Sequence, residues 1–211
     1  MTTDIDHPEE LLAKAEERIR EHRTALARLR FVDREGQPLS KVRLRVRLVR
    51  HAFKLGANAF RLFAIPQPSL QAAYEKRFAD LLNYATLPFY WGSYERREGY
   101  VEAKRLEAMA DWCKARQITT KGHPLVWHQV FPSWAESLAE AEVLKRLEKR
   151  VREIVRHFQG RVDIWDVVNE ATVSHRADNA IGHWVTRESA ARCVAQALEW
   201  AYEANPEAML L

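Results

Sequence analysis

From about residue 51 onward the chain alternates between two hydrophobic rhythms. Short apolar runs cover Phe53 to Phe60, Tyr84 to Tyr90, Ile118 to Trp127 and Val162 to Asn169, each the length of a buried strand. Between and after them lie charged stretches with apolar residues at helical spacing: Ser69 to Leu82, Val101 to Arg116, Glu140 to Phe158 and Arg187 to Ala204. Strands separated by helices of this length predict a parallel sheet with right-handed crossovers. Asn205-Pro206 stops the last helix, and Ala208-Met209-Leu210-Leu211 reads as a fifth strand barely begun.

The first 50 residues are organised differently. Leu11, Leu12, Ala15, Ile19, Leu26 and Leu29 recur near helical spacing, which predicts an amphipathic helix from about Pro8 to Leu29. Asp33-Arg34-Glu35-Gly36-Gln37-Pro38 is a turn signal. After it, strict alternation from Lys41 to Arg50 sets Lys41, Arg43, Arg45 and Arg47 against Val42, Leu44, Val46 and Leu48, the signature of a strand. These arginines could form a nucleic-acid stripe or a solvated face that discourages edge pairing. No aromatic residue interleaves with them for base stacking, which favours the solvated face. The expected organisation is an extension of helix and β-hairpin over 1–50, and a second domain over 51–211.

Chemistry collects where two of the strands end. Gly122-His123-Pro124-Leu125-Val126-Trp127-His128 and Trp165-Asp166-Val167-Val168-Asn169-Glu170 each run from apolar into reactive side chains. In (β/α) barrels the active site is built at such C-terminal strand ends. A carboxyl at Glu170 could protonate a leaving oxygen, the indole of Trp127 offers an apolar sugar face a platform, and Asn169, His123 and His128 offer hydrogen bonds. The residues alone leave other readings open. Asn169 and Glu170 could form an exposed turn, the histidines could be structural, or His123, His128 and Glu170 could bind a metal. Against the last, the helical His-Glu-x-x-His spacing of zinc hydrolases does not occur.

The two strand ends together resemble those of glycoside hydrolase family 10, the endo-β-1,4-xylanases, in the same order and at a similar separation. The resemblance extends through Phe53-Lys54-Leu55-Gly56, Leu82-Asn83 and Phe131-Pro132-Ser133-Trp134, and covers about residues 50 to 211. It implies retaining hydrolysis of a β-1,4-linked polysaccharide such as xylan. Glu170 matches the family's acid/base, which would begin protonated and later activate the water that releases a covalent glycosyl intermediate. Asn169, His123 and Trp127 match residues around the reacting sugar, His128 closes the same motif, and Asn83 and Trp91 are further substrate-binding candidates. The resemblance implies neither metal nor cofactor.

Two departures from the family accompany this match. Where family members carry an Asn/Glu pair and a lysine after the residue matching Asn83, this chain reads Tyr84-Ala85-Thr86-Leu87-Pro88-Phe89-Tyr90-Trp91-Gly92. An apolar wall replaces a hydrogen-bonding cluster, and such walls discriminate less between sugars. The family's nucleophile is a second glutamate on a late strand, and no residue here matches it. Eight strand–helix units and about 250 residues make a full barrel. The expected fold is therefore α/β, a partial (β/α)8 TIM barrel of the first four to five strands, preceded by the N-terminal helix and small β segment. Its unpaired edges invite self-association. It is expected to be a fragment of a longer enzyme and inactive alone; the alternative is a non-catalytic carbohydrate-binding half barrel.

Composition changes this picture little. The 211 residues are 47% hydrophobic and 29% charged, ordinary for a folded α/β chain. A net charge of +4 and a pI near 9.1 owe much to the basic run after Lys41. Cys113 and Cys193 sit in helical patterns as small apolar filler, too far apart for a redox pair. Neither a signal core nor a membrane span can be read, so the expectation is a cytoplasmic protein with a carbohydrate substrate, no nucleic acid and no membrane, while secretion of a longer parent stays open.

Overall fold

Residues 8–49 and 52–211 are described by a computed structural model, and the chain divides into two units, Met1–Arg50 and His51–Leu211. In the first, helix α1 spans Pro8–Arg23, with Glu9 and Glu10 in its first turn and Arg20, His22 and Arg23 in its last, the arrangement a helix dipole favours. It ends short of Leu29. The Thr24 hydroxyl donates to the Arg20 carbonyl at 2.6 Å just past its last turn.

The expected turn forms. Asp33 Oδ1 accepts from the backbone N–H groups of Glu35 and Gln37, Gly36 takes φ +83°, and Val32 and Pro38 form an isolated antiparallel bridge. The alternating basic run does not become a strand: residues 42–49 have no regular secondary structure, and Arg50 lies outside the described residues. Alternation supplies two faces, but a strand also needs a neighbouring backbone to pair with. None pairs with this run among the described residues.

The second unit is built on one sheet of five parallel strands in sequence order: β1 (Gly56–Asn58), β2 (Tyr84–Pro88), β3 (Thr119–His123), β4 (Ile164–Trp165) and β5 (Met209–Leu210). Helices α2 (Pro68–Leu81), α4 (Ala103–Ala115), α5 (Glu140–His157) and α7 (Ala190–Ala204) make the crossovers, and a short α3 (Trp91–Tyr94) comes after β2. The sheet does not close. Strands β1 and β5 are its edges, so the unit is a partial (β/α)8 barrel.

Two boundaries differ from the sequence reading in ways that matter. The strand expected to run to Trp127 breaks after His123, because Pro124 has no N–H to donate. The last helical region holds an additional helix, α6 (Ala180–Glu188), started by Asn179, whose Oδ1 accepts from the N–H groups of Ile181 and Gly182. Ser189, at φ +79°, separates α6 from α7.

Strand periodicity sorts the sheet into two faces. Ala85, Leu87, Gly122, Trp165 and Val167 are buried toward the helices, where they meet Met109, Cys113, Leu147, Val151, Ile154, Ala197 and Ala201. Burial pushes the Cys113 thiol up to about 12 and that of Cys193 up to about 11, so both stay protonated packing groups. The opposite face carries Tyr84, Thr86, Lys121, His123 and Asp166, all half-buried.

One absent side chain sets the β3–β4 contact. A Cβ at Gly122 would lie 2.1 Å from Trp165 Cζ3, so only glycine lets this indole lie across β3. Trp165 is 0% exposed and meets Phe89 nearly edge-on at 4.8 Å, while Phe89 meets Phe158 at 4.9 Å. Gly122→Ala should therefore cost about 1–3 kcal/mol through overpacking, measured as a lower denaturation midpoint. An unchanged midpoint would show that the indole does not rest on Gly122.

Candidate active site

Pairing of Gly122 with Trp165 puts the next residues of both strands, His123 and Asp166, side by side on the half-buried face. His123 Nδ1 and Asp166 Oδ2 are 2.7 Å apart, and Lys121 Nζ donates to the same oxygen at 3.2 Å. The hydrogen bond from His123, helped by the Lys121 charge, holds the Asp166 carboxyl below the usual aspartate range despite partial burial. With Nδ1 occupied by Asp166, His123 presents Nε2 as its remaining polar edge.

Beyond Pro124 the pairing resumes one residue out of step. Leu125 N–H donates to Asp166 O at 3.1 Å, Val126 N–H to Val167 O at 2.8 Å, and Val126 bridges Val168. The segment after β3 thus holds one extra residue, a bulge of the kind found beside active sites. It delivers Trp127 to Glu170, and the indole Nε1–H donates to Glu170 Oε2 at 3.0 Å. Asn169 is half-buried beside them, its N–H donating to Val126 O at 3.0 Å.

Tyr90 completes this wall. Its ring stands edge-on to His123 at 5.5 Å, tilts against Trp127 at 5.4 Å and meets Phe60 edge-on at 5.7 Å. Burial, with the negative charges of Asp166 and Glu170, pushes its hydroxyl above the usual tyrosine value, so it remains a neutral donor. Glu170 itself is exposed and adopts φ +53°. A left-handed conformation in a non-glycine residue costs of order 1–3 kcal/mol and persists only where its surroundings hold it.

The other site candidates lie elsewhere. Trp91 is 4% exposed, donates its Nε1–H to Glu95 Oε2 at 2.9 Å and packs against Phe131 and Trp134. It is core, not a platform for a sugar. Asn83 immediately precedes β2, at the end of the strand opposite to the rim, where its side chain binds the backbone of Leu55 and Phe53. His128 is 8% exposed, and its Nδ1 lies 3.0 Å from Ser174 Oγ, so it does not line the wall. Two aromatic residues outside that set are interior as well: Tyr94 is 7% exposed, and Trp184 is 2% exposed and stacked on Trp200 at 5.7 Å. Among the described residues no group of three or more His, Cys, Asp or Glu could hold a metal ion, and no helix is long and apolar enough to cross a membrane.

Tyr90, Asp166 and Lys121 join the site beyond the residues expected from the sequence. Parity was the available signal: with Phe89 and Trp165 in the core, Tyr90 and Asp166 must face the other way.

An open half barrel with a glutamate, an indole and a histidine on its C-terminal rim falls in the class of barrel-fold glycoside hydrolases. The model of the family described as Glycosyl hydrolase family 10 matches residues 63–211, and the chain belongs to that family. It is similar to endo-1,4-beta-xylanase B of Thermotoga neapolitana, 38% identical over 107 residues that cover 50% of this chain and 30% of the relative. It is also similar to endo-1,4-beta-xylanase A of Caldicellulosiruptor sp., 34% identical over 125 residues, 54% of this chain and 18% of the relative. The solved native xylanase 10B of Thermotoga maritima shares the fold with a TM-score of 0.61 at 25% identity, over 75% of this chain and 48% of that one. The chain thus spans less than a third of these curated relatives and about half of the solved structure.

Because the folded Asp166 carboxyl titrates below its unfolded value near 3.9, its contribution to stability is complete above that pH and disappears as pH falls through the folded value. Asp166→Asn should lower stability at pH 7 and flatten its acid dependence below about pH 4. Denaturation at pH 7 and pH 3 checks this; an unaltered pH slope would contradict it.

Proposed function

We propose that this chain carries the acid/base half of a retaining glycosidase site for β-1,4-linked polysaccharide, with xylan as the favoured substrate. The observation that carries the reading is the Trp127–Glu170 hydrogen bond on the rim, beside the wall of His123 and Tyr90. In this mechanism Glu170 protonates the departing glycosidic oxygen, and its carboxylate later takes a proton from the attacking water. Asn169 hydrogen-bonds the 2-hydroxyl of the reacting sugar, a contact that tightens in the transition state. His123 offers Nε2 to another hydroxyl, while Trp127 and Tyr90 supply apolar faces.

The nucleophile is a carboxylate contributed by residues outside this chain, about 5 Å from Glu170. Support for xylan comes from the similarity to the endo-1,4-beta-xylanases of Thermotoga neapolitana and Caldicellulosiruptor sp.. A second reading, a sugar-binding half barrel without turnover, is favoured by the open sheet and predicts saturable binding of xylo-oligosaccharides with no hydrolysis.

The test uses the polypeptide that completes the barrel. Glu170→Gln should lower kcat/KM on xylan by about a hundredfold or more, the usual size of general-acid catalysis. On aryl glycosides whose leaving group needs no proton, formation of the intermediate should be largely spared. Equal, small losses on both substrates would remove Glu170 from the acid/base role.

A further inference from the structure

Glu170 is gripped at two points by consecutive residues. Trp127 holds the carboxylate through its indole N–H, and His128 reaches the backbone of the same residue through Ser174. The Ser174 Oγ–H donates to Glu170 O at 3.0 Å, and His128 Nδ1 lies 3.0 Å from Ser174 Oγ. A carbonyl oxygen can only accept, so the serine proton is committed to Glu170. Ser174 Oγ must then accept from His128, which requires the proton on Nδ1. The result is a directed chain, His128 Nδ1–H to Ser174 Oγ–H to Glu170 O=C.

Both relay residues are sequestered, with His128 8% and Ser174 2% exposed. The outer end is anchored as well. Asn179 Nδ2 donates to the His128 carbonyl at 2.8 Å while its Oδ1 caps α6. The Val173 N–H adds a second bond to Glu170 O at 3.1 Å. These bonds converge on the site residue whose φ is +53°, the one that most needs external support to keep its geometry.

We propose that Ser174 and His128 are positioning residues that hold the left-handed backbone of Glu170 and thereby aim its carboxylate at the Trp127 indole. The proposal rests on the functional reading only for the meaning of that aim; its geometry can be tested without any sugar. Without the serine hydroxyl one of the two bonds to the Glu170 carbonyl is lost, the backbone leaves the left-handed region, and the carboxylate leaves Trp127.

The experiment is nuclear magnetic resonance on the 15N-labelled full chain. Trp127→Phe assigns the indole signal, and Glu170→Ala defines its position when unbonded. Ser174→Ala should move the Trp127 Nε1–H signal toward that position and speed its exchange with water roughly tenfold, whereas Ser174→Thr, which keeps a hydroxyl, should leave both near wild type. A folded Ser174→Ala with an unchanged Trp127 indole overturns the proposal. Should Ser174→Ala not fold, the wild type decides: the 15N signals of the His128 ring must show a proton on Nδ1, and a ring with its proton on Nε2 alone overturns the proposal. Neither readout involves turnover, so a failed Glu170→Gln result would leave this outcome independent.

Discussion

The contact between Gly122 and Trp165 governs the geometry of the whole rim. A large indole can cross a strand only where the backbone beneath has no Cβ, and Gly122 provides that place. Once Trp165 sits there, β3 and β4 have a single register, because sliding either strand by one residue would drive the ring into a side chain or out of the Phe89–Phe158 cluster. The register sends His123 and Asp166 to the other face together. It also sets the phase for the bulge at Pro124, which brings Trp127 to Glu170. Core packing on one face and the candidate site on the other are thus two products of the same pairing.

A buried cation secures the same rim from the helix side. Arg150, on α5, is 5% exposed, and its guanidinium donates to the carbonyl oxygens of Phe89 and Leu125. Those carbonyls sit just past β2 and β3, so one side chain ties both strand ends together. It lies over the rings of Tyr94 and Trp91, which offset part of its desolvation. Burial lowers its pKa to about 10, which leaves it a cation at neutral pH. Trp91 is needed here as packing for a charge, and this is the physical reason it is not available to a sugar.

Much of the fold was legible because it rests on local rules. Helices α2, α4 and α5 begin and end within two residues of their expected limits, since amphipathic spacing and Pro68 mark them directly. The last helix, expected from Arg187 to Ala204, is α7 with its start three residues later, whereas α6 was not legible: Ser189, which closes it, takes a positive φ without the glycine that would announce a boundary. The basic run after Lys41 misled because alternation reports two faces but says nothing of a pairing partner. In the site, Glu170, Asn169, Trp127 and His123 stood out by position at strand ends. Tyr90 and Asp166 did not, because their importance depends on cross-strand register. His128 and Trp91 carry suggestive chemistry in sequence, and only burial shows that each serves the interior.

On the proposed function, the rim around Glu170 receives a β-1,4-linked sugar. The most direct measurement is a titration of 15N-labelled chain with xylotriose, following the indole N–H signals. The Trp127 signal is expected to shift in a saturable way, together with the backbone signals of His123 and Asn169, while those of Trp91 and Trp184 stay fixed. Saturable shifts centred on Trp134 or Trp184, with Trp127 unmoved, would contradict it.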